Sequence, residues 1–563
     1  MSPNTLAIRR SLNVADRLSQ IAAQLPDAAA VLEPTPQVTE GRRQYRQFSF
    51  RQLDEDSSRV ALALRQMGVK KGARLALMVR PSFDFISLVF ALFKSGAVSV
   101  LIDPGMGRKH LLRCLDDVRP EGFVAISLAQ AVRVLCGRRY AAARYNVTVG
   151  RRWFWKGPTL DDLRNQPISG KLPSTAPDDP AAIIFTSGST GPPKGVLYSH
   201  ANFDAQVDGI RDQYDLLPGG IDLACFPLFG LFNCAMGVTT VIPDMDASRP
   251  AQVDPRKIIA AIHDCGVTQS FASPAVWDRV SAYCVDQQIH FDTLRRVFSA
   301  GAPVSPAVLA RIKSCMPAGG EAFTPYGATE ALPISSIAAG RVLSETRSAS
   351  ERGAGACVGR RFAGVQWKVI RISDDPIESL EHIDELPTGQ IGELIVNARQ
   401  VTRAYVTRVE ANAFAKITAG GEVWHRMGDV GYLDDEDRFW FCGRKSQRVV
   451  TATQTMFTEP CEAIFNTHPA VARSALVGVG PLGNQLAVMM IEPKRGAWPR
   501  GAAVQQLRGD LLALGQRHET TSSIEQVLFA RSFPVDVRHN SKIGREKLAL
   551  IAAKALTAKG VSR

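Results

Sequence analysis

Ten cysteines and nine histidines are spread through the 563 residues, yet no CxxC pair, no Cys/His metal spacing and no HExxH run occurs. That excludes the common zinc sites and reads as reduced thiols in a cytoplasmic protein. The opening MSPNTLAIRRSLNVADRL lacks the apolar core of a signal peptide. No repeat of solenoid period is present. Only one stretch without charge reaches spanning length, LACFPLFGLFNCAMGVTTVIP at 223–243, and Pro227, Gly230, Asn233, Gly237 and Pro243 interrupt it. It reads as interior structure, or as the lining of a pocket for a greasy ligand. The commonest phosphate loop is missing too: no Gly is followed, after four residues, by Gly-Lys-Ser/Thr.

What is present is an ordinary globular composition, 45% hydrophobic and 21% charged, with a net charge of +13. The excess of cations favours anionic partners such as nucleotides, acidic proteins or anionic membrane, without implying nucleic-acid binding. Residues 48–104 alternate helix-like and strand-like segments, the pattern of an α/β domain with a largely parallel sheet. SGKLPSTAPDDP (169–180) reads as a linker, and a second α/β run covers 200–330. Residues 340–356 read as a long polar loop, and 363–443 as short strands with turns. A boundary falls near Gly443-Arg444-Lys445, followed by a small α+β domain. RRWFWKG (151–157) mixes cations with aromatics; it suits a sheet edge with snorkelling arginines, or contact with an anionic membrane or partner surface.

After the linker comes TSGSTGPPKG (186–195), a loop of glycines, hydroxyls and one lysine behind an apolar run. Glycine lets backbone N–H groups turn inward, and Thr186, Ser187, Ser189, Thr190 and Lys194 add donors around Gly188. This is equipment for gripping a polyphosphate. Four further signals follow in order: SAGAP (299–303), YGATE (326–330), RMGDVGYLDDEDRFWFCGR (426–444) and HNSKIGREKL (539–548). Each alone is weak; the ordered set is specific.

Together these motifs resemble the adenylate-forming superfamily of acyl-CoA synthetases, luciferases and peptide-synthetase adenylation domains, over nearly the whole chain from about residue 40. The resemblance implies an α/β fold: a large N-terminal domain (1–443) of packed β-sheets with flanking helices plus a small β-barrel-like part, hinged to a small α+β C-terminal domain (444–563). It implies ATP and Mg²⁺ as cofactors and an acyl-adenylate as intermediate. Thr186 to Lys194 would hold the departing pyrophosphate. Thr329 would offer a hydroxyl and Glu330 would hold Mg²⁺. Gly301, Ala302 and Tyr326 would form the adenine slot, Asp429 would bind the ribose with help from Arg444, and Lys542 would bridge the carboxylate and α-phosphate.

The thioester half of the pattern departs from the superfamily. Where a hinge Asp or Lys and a loop Gly are usual, GRKSQRVVTATQTMFTEPCE (443–462) has Ser446 and Thr453, and the usual PLFH is PLFG (227–230). A β-branched residue in place of Gly obstructs the close passage of a pantetheine arm. An acceptor inside the substrate removes the need for that arm: a 3-hydroxyl attacking the acyl-adenylate gives a β-lactone. TSGSTGPPKGV, CFPLFGLFNCAMG, SPAVW, TPYGATEALP, RMGDVGYLD and RHNSKIGREKL are similar to the β-lactone synthetases of bacterial long-chain olefin biosynthesis. That resemblance implies a long-chain 2-alkyl-3-hydroxy acid as substrate, with Phe229, Phe232, Asn233 and Met236 in the wall of the acyl pocket. It also implies a thiolase-like enzyme and a reductase upstream, a lactone-processing hydrolase-fold protein downstream, no nucleic acid, and at most peripheral membrane contact.

Three rival readings remain on the sequence. The nearest is a long-chain fatty acyl-CoA or acyl-AMP ligase. A catalytically silent scaffold fits poorly with Thr329, Glu330, Asp429 and Lys542 occurring together. A nicotinamide enzyme would rest on GAGACVG (353–359), which lacks the third glycine spacing and a preceding strand.

Overall fold

The computed structural model describes residues 13–186, 191–535 and 543–558. Local chemistry explains where its elements begin and end. Ser49 and Gln52 form a capping box that starts the helix Phe50–Gln66, whose apolar residues face inward. Ser82 caps the next helix, Phe83–Ser95, and Gly96 ends it at φ +74°, a conformation glycine adopts without strain. That second helix is buried on nearly every side, including Lys94. The ammonium is tolerated because Asp54 (2.6 Å), Ser57 (2.8 Å) and Ser58 (2.9 Å) surround it.

The helix Phe83–Ser95 leads into a six-stranded sheet. Its order is Tyr145–Val149, Gly122–Ile126, Arg74–Met78, Val98–Leu101, Pro180–Phe185, Gly195–Ser199. All neighbours are parallel except the last pair, an antiparallel hairpin in which Phe185 stands opposite Gly195. The glycine- and hydroxyl-rich loop is the tip of this hairpin. A strand follows it, not a helix, which is the structural counterpart of its departure from the commoner phosphate loop.

A larger, fourteen-stranded sheet packs nearby. Its parallel centre contains Ile221–Ala224, Gln269–Ala272, Arg296–Ser299 and Glu321–Ala328. From there it continues antiparallel through Ala331–Ala338, Ala356–Arg361, Arg438–Arg444, Glu422–Leu433, Gly392–Asn397 and Gln366–Ile370. One apolar core joins the two sheets through the buried helix. The small domain has a three-stranded sheet of Val471–Val479, Leu486–Pro493 and Gln526–Phe529, with the helices Thr458–Asn466, Ala502–Gln516 and Arg545–Ala558.

The mixed α/β fold with a large sheet-rich part and a small C-terminal part is as the sequence implies, with three corrections. No closed barrel forms among the described residues, because the strands expected to curl on themselves extend the large sheet instead. Residues 340–356 are not a loop. Helical turns run from Ala339 to Glu351, supported by Arg347–Glu351 at 2.7 Å, and end at Gly353 with φ +95°. Good helix formers and ion pairs four apart outweigh the serines there. RRWFWKG is not itself a strand; it is the irregular segment just past the edge strand Tyr145–Val149. The uncharged stretch 223–243 folds as strand, helix Phe229–Met236 and strand Thr239–Val241, all interior. No helix among the described residues is long and apolar enough to cross a membrane.

Candidate active site

A cavity of about 2400 Å³ runs between the two sheets and the small domain, and every described residue that the resemblance implies for nucleotide, Mg²⁺ or acyl binding lines it. Thr186, Lys194, Thr329, Glu330, Asp429 and Arg444 stand on one part of its wall. Gly301, Ala302 and Tyr326 stand beside them, while Phe229, Phe232, Asn233 and Met236 line an apolar arm. Ser187, Gly188, Ser189, Thr190 and Lys542 lie outside the described residues.

The base of the loop is closed by Thr186 and Lys194. Thr186 N–H donates to the Lys194 carbonyl at 3.0 Å, and Lys194 N–H donates to Thr186 Oγ1 at 3.2 Å. Lys194 Nζ then lies 4.4 Å above the ring of Tyr405 and 3.4 Å from its hydroxyl. The Tyr405 hydroxyl donates to Glu330 Oε1 at 2.6 Å. Glu330 sits in the hairpin turn after Tyr326–Gly327–Ala328, and its carbonyl accepts from Thr402 N–H (2.9 Å) and Thr402 Oγ1 (3.0 Å). Thr329 is fixed through its carbonyl, which accepts from the Tyr198 hydroxyl. A second lysine, Lys416, lies 5.9 Å from the Tyr405 ring centre and donates to Thr402.

The charge balance of this corner favours a polyanion. Burial lowers the pKa of Lys194, with Glu330 opposing that shift. Burial pushes Lys416 down to about 7; Glu330 opposes this and the Lys194 charge reinforces it. Two lysines therefore share one carboxylate, and an arriving phosphate chain would relieve their mutual repulsion.

Asp429 joins two of the expected partners. The Tyr326 hydroxyl donates to its Oδ2 at 2.5 Å, and Arg444 Nη1 lies 2.8 Å from its Oδ1. Asp429 lies within the strand Glu422–Leu433 and Arg444 directly opposite at the end of Arg438–Arg444, so strand pairing sets this contact. A carboxylate offers about four lone-pair positions and only accepts, which suits it to the donor hydroxyls of a ribose. The attraction of Asp429 raises the pKa of Arg444, ahead of the opposing effect of burial. Burial, and then the Asp429 charge, raises that of Tyr326.

The apolar arm has one polar group at its floor. Phe229 stacks on Phe271 with ring centres 3.5 Å apart. Beyond them Asn233 Nδ2 donates at 2.7 Å to Oδ2 of Asp222, a carboxylate only 1% exposed. Asp222 Oδ1 has no hydrogen-bond partner among the described residues, and burial pushes the carboxyl up to about 7. The folded state therefore keeps a proton that an unfolded chain releases near pH 4. The corresponding stability is complete below about pH 4 and lost as pH rises through 7. Asp222→Asn should remove that loss. Its melting temperature relative to the parent should be higher at pH 8 than at pH 5, by about 1 °C for each kcal/mol recovered in a chain of this length. A pH-independent difference would mean that Asp222 is ionised in the fold.

Three participants were not singled out from the sequence: Tyr405, Lys416 and Asp222. Tyr405 reaches the site by an antiparallel bridge with Val196, some two hundred residues away in sequence. No local pattern announces that pairing. Asp222 did carry a signal, as the acidic residue just before the 223–243 run.

In the thioester region, Val449–Val450 and Thr455–Met456 form a short hairpin. Its turn is closed by Thr451, whose hydroxyl accepts from Thr453 N–H (3.3 Å) and Gln454 N–H (3.1 Å). Thr453 has no positive φ, so the turn is built without the glycine conformation. Ser446 lines the cavity, and its neighbour Lys445 lies 3.1 Å from Glu393, which also pairs with buried Arg426 at 2.6 Å.

Comparison with known proteins agrees with this geometry. The AMP-binding enzyme family matches residues 18–406. The chain is 46% identical to an olefin beta-lactone synthetase of Xanthomonas campestris pv. campestris, over 96% of this chain and 98% of that protein. It is 45% identical to an olefin beta-lactone synthetase of Stenotrophomonas maltophilia, over 98% and 99%. The solved structure of an amide bond synthetase from Marinactinospora thermotolerans shares the fold, with a TM-score of 0.76 at 21% identity over 96% of this chain and 99% of that one. The chain belongs to the AMP-binding enzyme family and, within it, to the group of the olefin beta-lactone synthetases.

Proposed function

We propose that the protein is an ATP-dependent, AMP-forming β-lactone synthetase acting on a long-chain 2-alkyl-3-hydroxy acid. The substrate carboxylate attacks the α-phosphorus of ATP and pyrophosphate leaves. The 3-hydroxyl oxygen then attacks the acyl carbon, the bond to AMP breaks, and the four-membered lactone closes with loss of the hydroxyl proton. The observation that carries the reading is identity near 46% over almost the whole of both chains with a protein of that name.

In this reading the Thr186–Lys194 loop grips the β- and γ-phosphates, and Asp429 and Arg444 hold the ribose. Tyr326, Gly301 and Ala302 flank adenine. Lys542 acts on the charge developing between carboxylate and α-phosphate. Glu330 would hold Mg²⁺, which supplies neutralisation of the phosphate charge. No cluster of three potential metal ligands exists among the described residues, and one carboxylate plus phosphate oxygens is the set Mg²⁺ usually takes. The residues 1–443 would form the nucleotide and acyl body and 444–563 the mobile domain, with the Glu393–Lys445 contact at the hinge. Cytoplasmic location, supply of substrate by a thiolase-like enzyme and a reductase, and consumption of the lactone by a hydrolase-fold protein belong to the same reading.

Product analysis tests it: Mg·ATP and a 2-alkyl-3-hydroxy acid should give AMP, pyrophosphate and β-lactone, and stoichiometric acyl-CoA on adding CoA would overturn it. Glu330→Gln should lower ATP–pyrophosphate exchange about 100-fold at limiting Mg²⁺, with part of the loss recovered at high Mg²⁺. A deficit insensitive to Mg²⁺ would assign Glu330 to positioning Tyr405 and Lys194 instead.

A further inference from the structure

The segment between Glu121 and Asp161 contains no acidic residue and seven Arg or Lys, more than half of the net charge of +13. Arg139 is neutralised by Asp116, while Arg133, Arg138, Arg144, Arg151, Arg152 and Lys156 have no salt bridge among the described residues. All of these six but Arg133 are exposed.

The same segment exposes apolar side chains. On the helix Ser127–Leu135, Leu128, Val132 and Leu135 share one face by their spacing and are 62%, 44% and 78% exposed. In the loop beyond Tyr145–Val149, Trp153 and Phe154 are 51% and 66% exposed. These positions are held outward. Trp155, which follows them, is buried and its indole N–H donates to Thr148 Oγ1 at 2.9 Å, so the loop is pinned while Trp153 and Phe154 stay exposed. Ser127 Oγ donates to the Arg151 carbonyl, which places the start of the exposed helix against the aromatic loop. Gln130 fixes that helix to the sheet, donating to the Phe123 and Val147 carbonyls at 3.0 and 2.8 Å.

The cavity reaches this place. Ile126 and Ala129, at the start of the helix, line it together with Arg80 and Pro81. An apolar ridge ringed by cations without ion pairs, adjoining residues that line the cavity, has the composition of an interfacial membrane contact: aromatics at headgroup depth, aliphatic groups below and Arg/Lys on anionic headgroups.

We propose that this face docks the protein reversibly on an anionic lipid bilayer. A nucleic acid would satisfy the cations but would leave the aliphatic ridge of Leu128, Val132 and Leu135 in water, whereas a bilayer takes both the charges and the ridge. The docked cavity mouth would face the bilayer, from which a two-chain substrate can pass without crossing water. That purpose rests on the proposed substrate, whereas the docking does not.

Sedimentation with vesicles tests it, using the full chain, no substrate and about 0.1 M salt. Phosphatidylglycerol vesicles should bind the protein at least about tenfold more tightly than phosphatidylcholine vesicles. Arg151→Glu/Arg152→Glu/Lys156→Glu should abolish that preference. Trp153→Ser/Phe154→Ser, which leaves every charge in place, should weaken binding about tenfold. Leu128→Ser/Leu135→Ser serves as an independent variant of the ridge. All three should retain ATP–pyrophosphate exchange with a short, water-soluble 3-hydroxy acid, which reports an intact fold. Absence of binding to phosphatidylglycerol vesicles overturns the proposal. So does undiminished binding by both apolar variants, which would mean contact through charge alone, as with a polyanion. Failure in vesicles leaves the lactone reading standing, and failure to make lactone leaves the docking result intact.

Discussion

Asp429→Ala is expected to reduce ATP–pyrophosphate exchange by about 100- to 1000-fold. The carboxylate would accept from the ribose while holding the Tyr326 hydroxyl at 2.5 Å and Arg444 at 2.8 Å. Hydrogen bonds to a charged group contribute about 1.5–3 kcal/mol each, and two lost from a bound nucleotide near the lower end of that range, about 3–4 kcal/mol together, account for the prediction. Removing the carboxylate also leaves the Arg444 guanidinium without its ion-pair partner, beside two lysines that already share one carboxylate. Asp429→Asn separates the effects. It keeps an oxygen for Tyr326 or ribose and removes the charge, so its deficit should be smaller and should fall mainly on the KM for ATP. Exchange within threefold of the parent in the alanine variant would make Asp429 a structural residue that merely joins two strands.

That corner also marks how far the sequence alone could be read. Asp429 and Arg444 were recognisable because both sit in the 426–444 motif, and pairing of Glu422–Leu433 with Arg438–Arg444 brings its two ends together. The loop proposed to grip phosphate was legible for the same reason: its glycines and hydroxyls are contiguous and directly follow an apolar strand. The alternation of helix and strand over 48–104 was legible in the hydrophobic pattern, and Ser49, Ser82 and Gly96 set its helix limits in the structure. Tyr405 and Lys416 were invisible because nothing local distinguishes them. Tyr405 matters only through a bridge to Val196 and a hydrogen bond to Glu330, both long-range. Residues 340–356 were misread because serine and glycine content outweighed spacing. The Arg347–Glu351 pair and the stop at Gly353 were signals of a helix. The barrel was misplaced because alternating short strands do not say whether the last pairs with the first or with the neighbouring sheet.

An acid lacking the 3-hydroxyl should stall the enzyme. With a long-chain 2-alkyl acid and Mg·ATP, one equivalent of pyrophosphate should appear per protein, followed by steady turnover about 100-fold or more below that with the hydroxy acid. The reason lies in what the second step requires. An internal hydroxyl arrives at high effective concentration, whereas an external thiol has to pass the 451–454 turn. That turn carries Thr453, is tied by the Thr451 hydroxyl and has no left-handed residue. Neither CoA nor a simple thiol should therefore restore turnover with the deoxy acid. Thr453→Gly tests the obstruction itself. Removing the β-branched side chain gives the backbone the freedom a pantetheine passage needs, and a small CoA-dependent turnover should emerge with the deoxy acid while lactone formation from the hydroxy acid stays unchanged. Quenched-flow measurement of pyrophosphate against acyl-adenylate would show the burst. Continuous multiple turnover of the deoxy acid with CoA in the unmodified protein would place this chain among the thioester-forming ligases despite its sequence relatives.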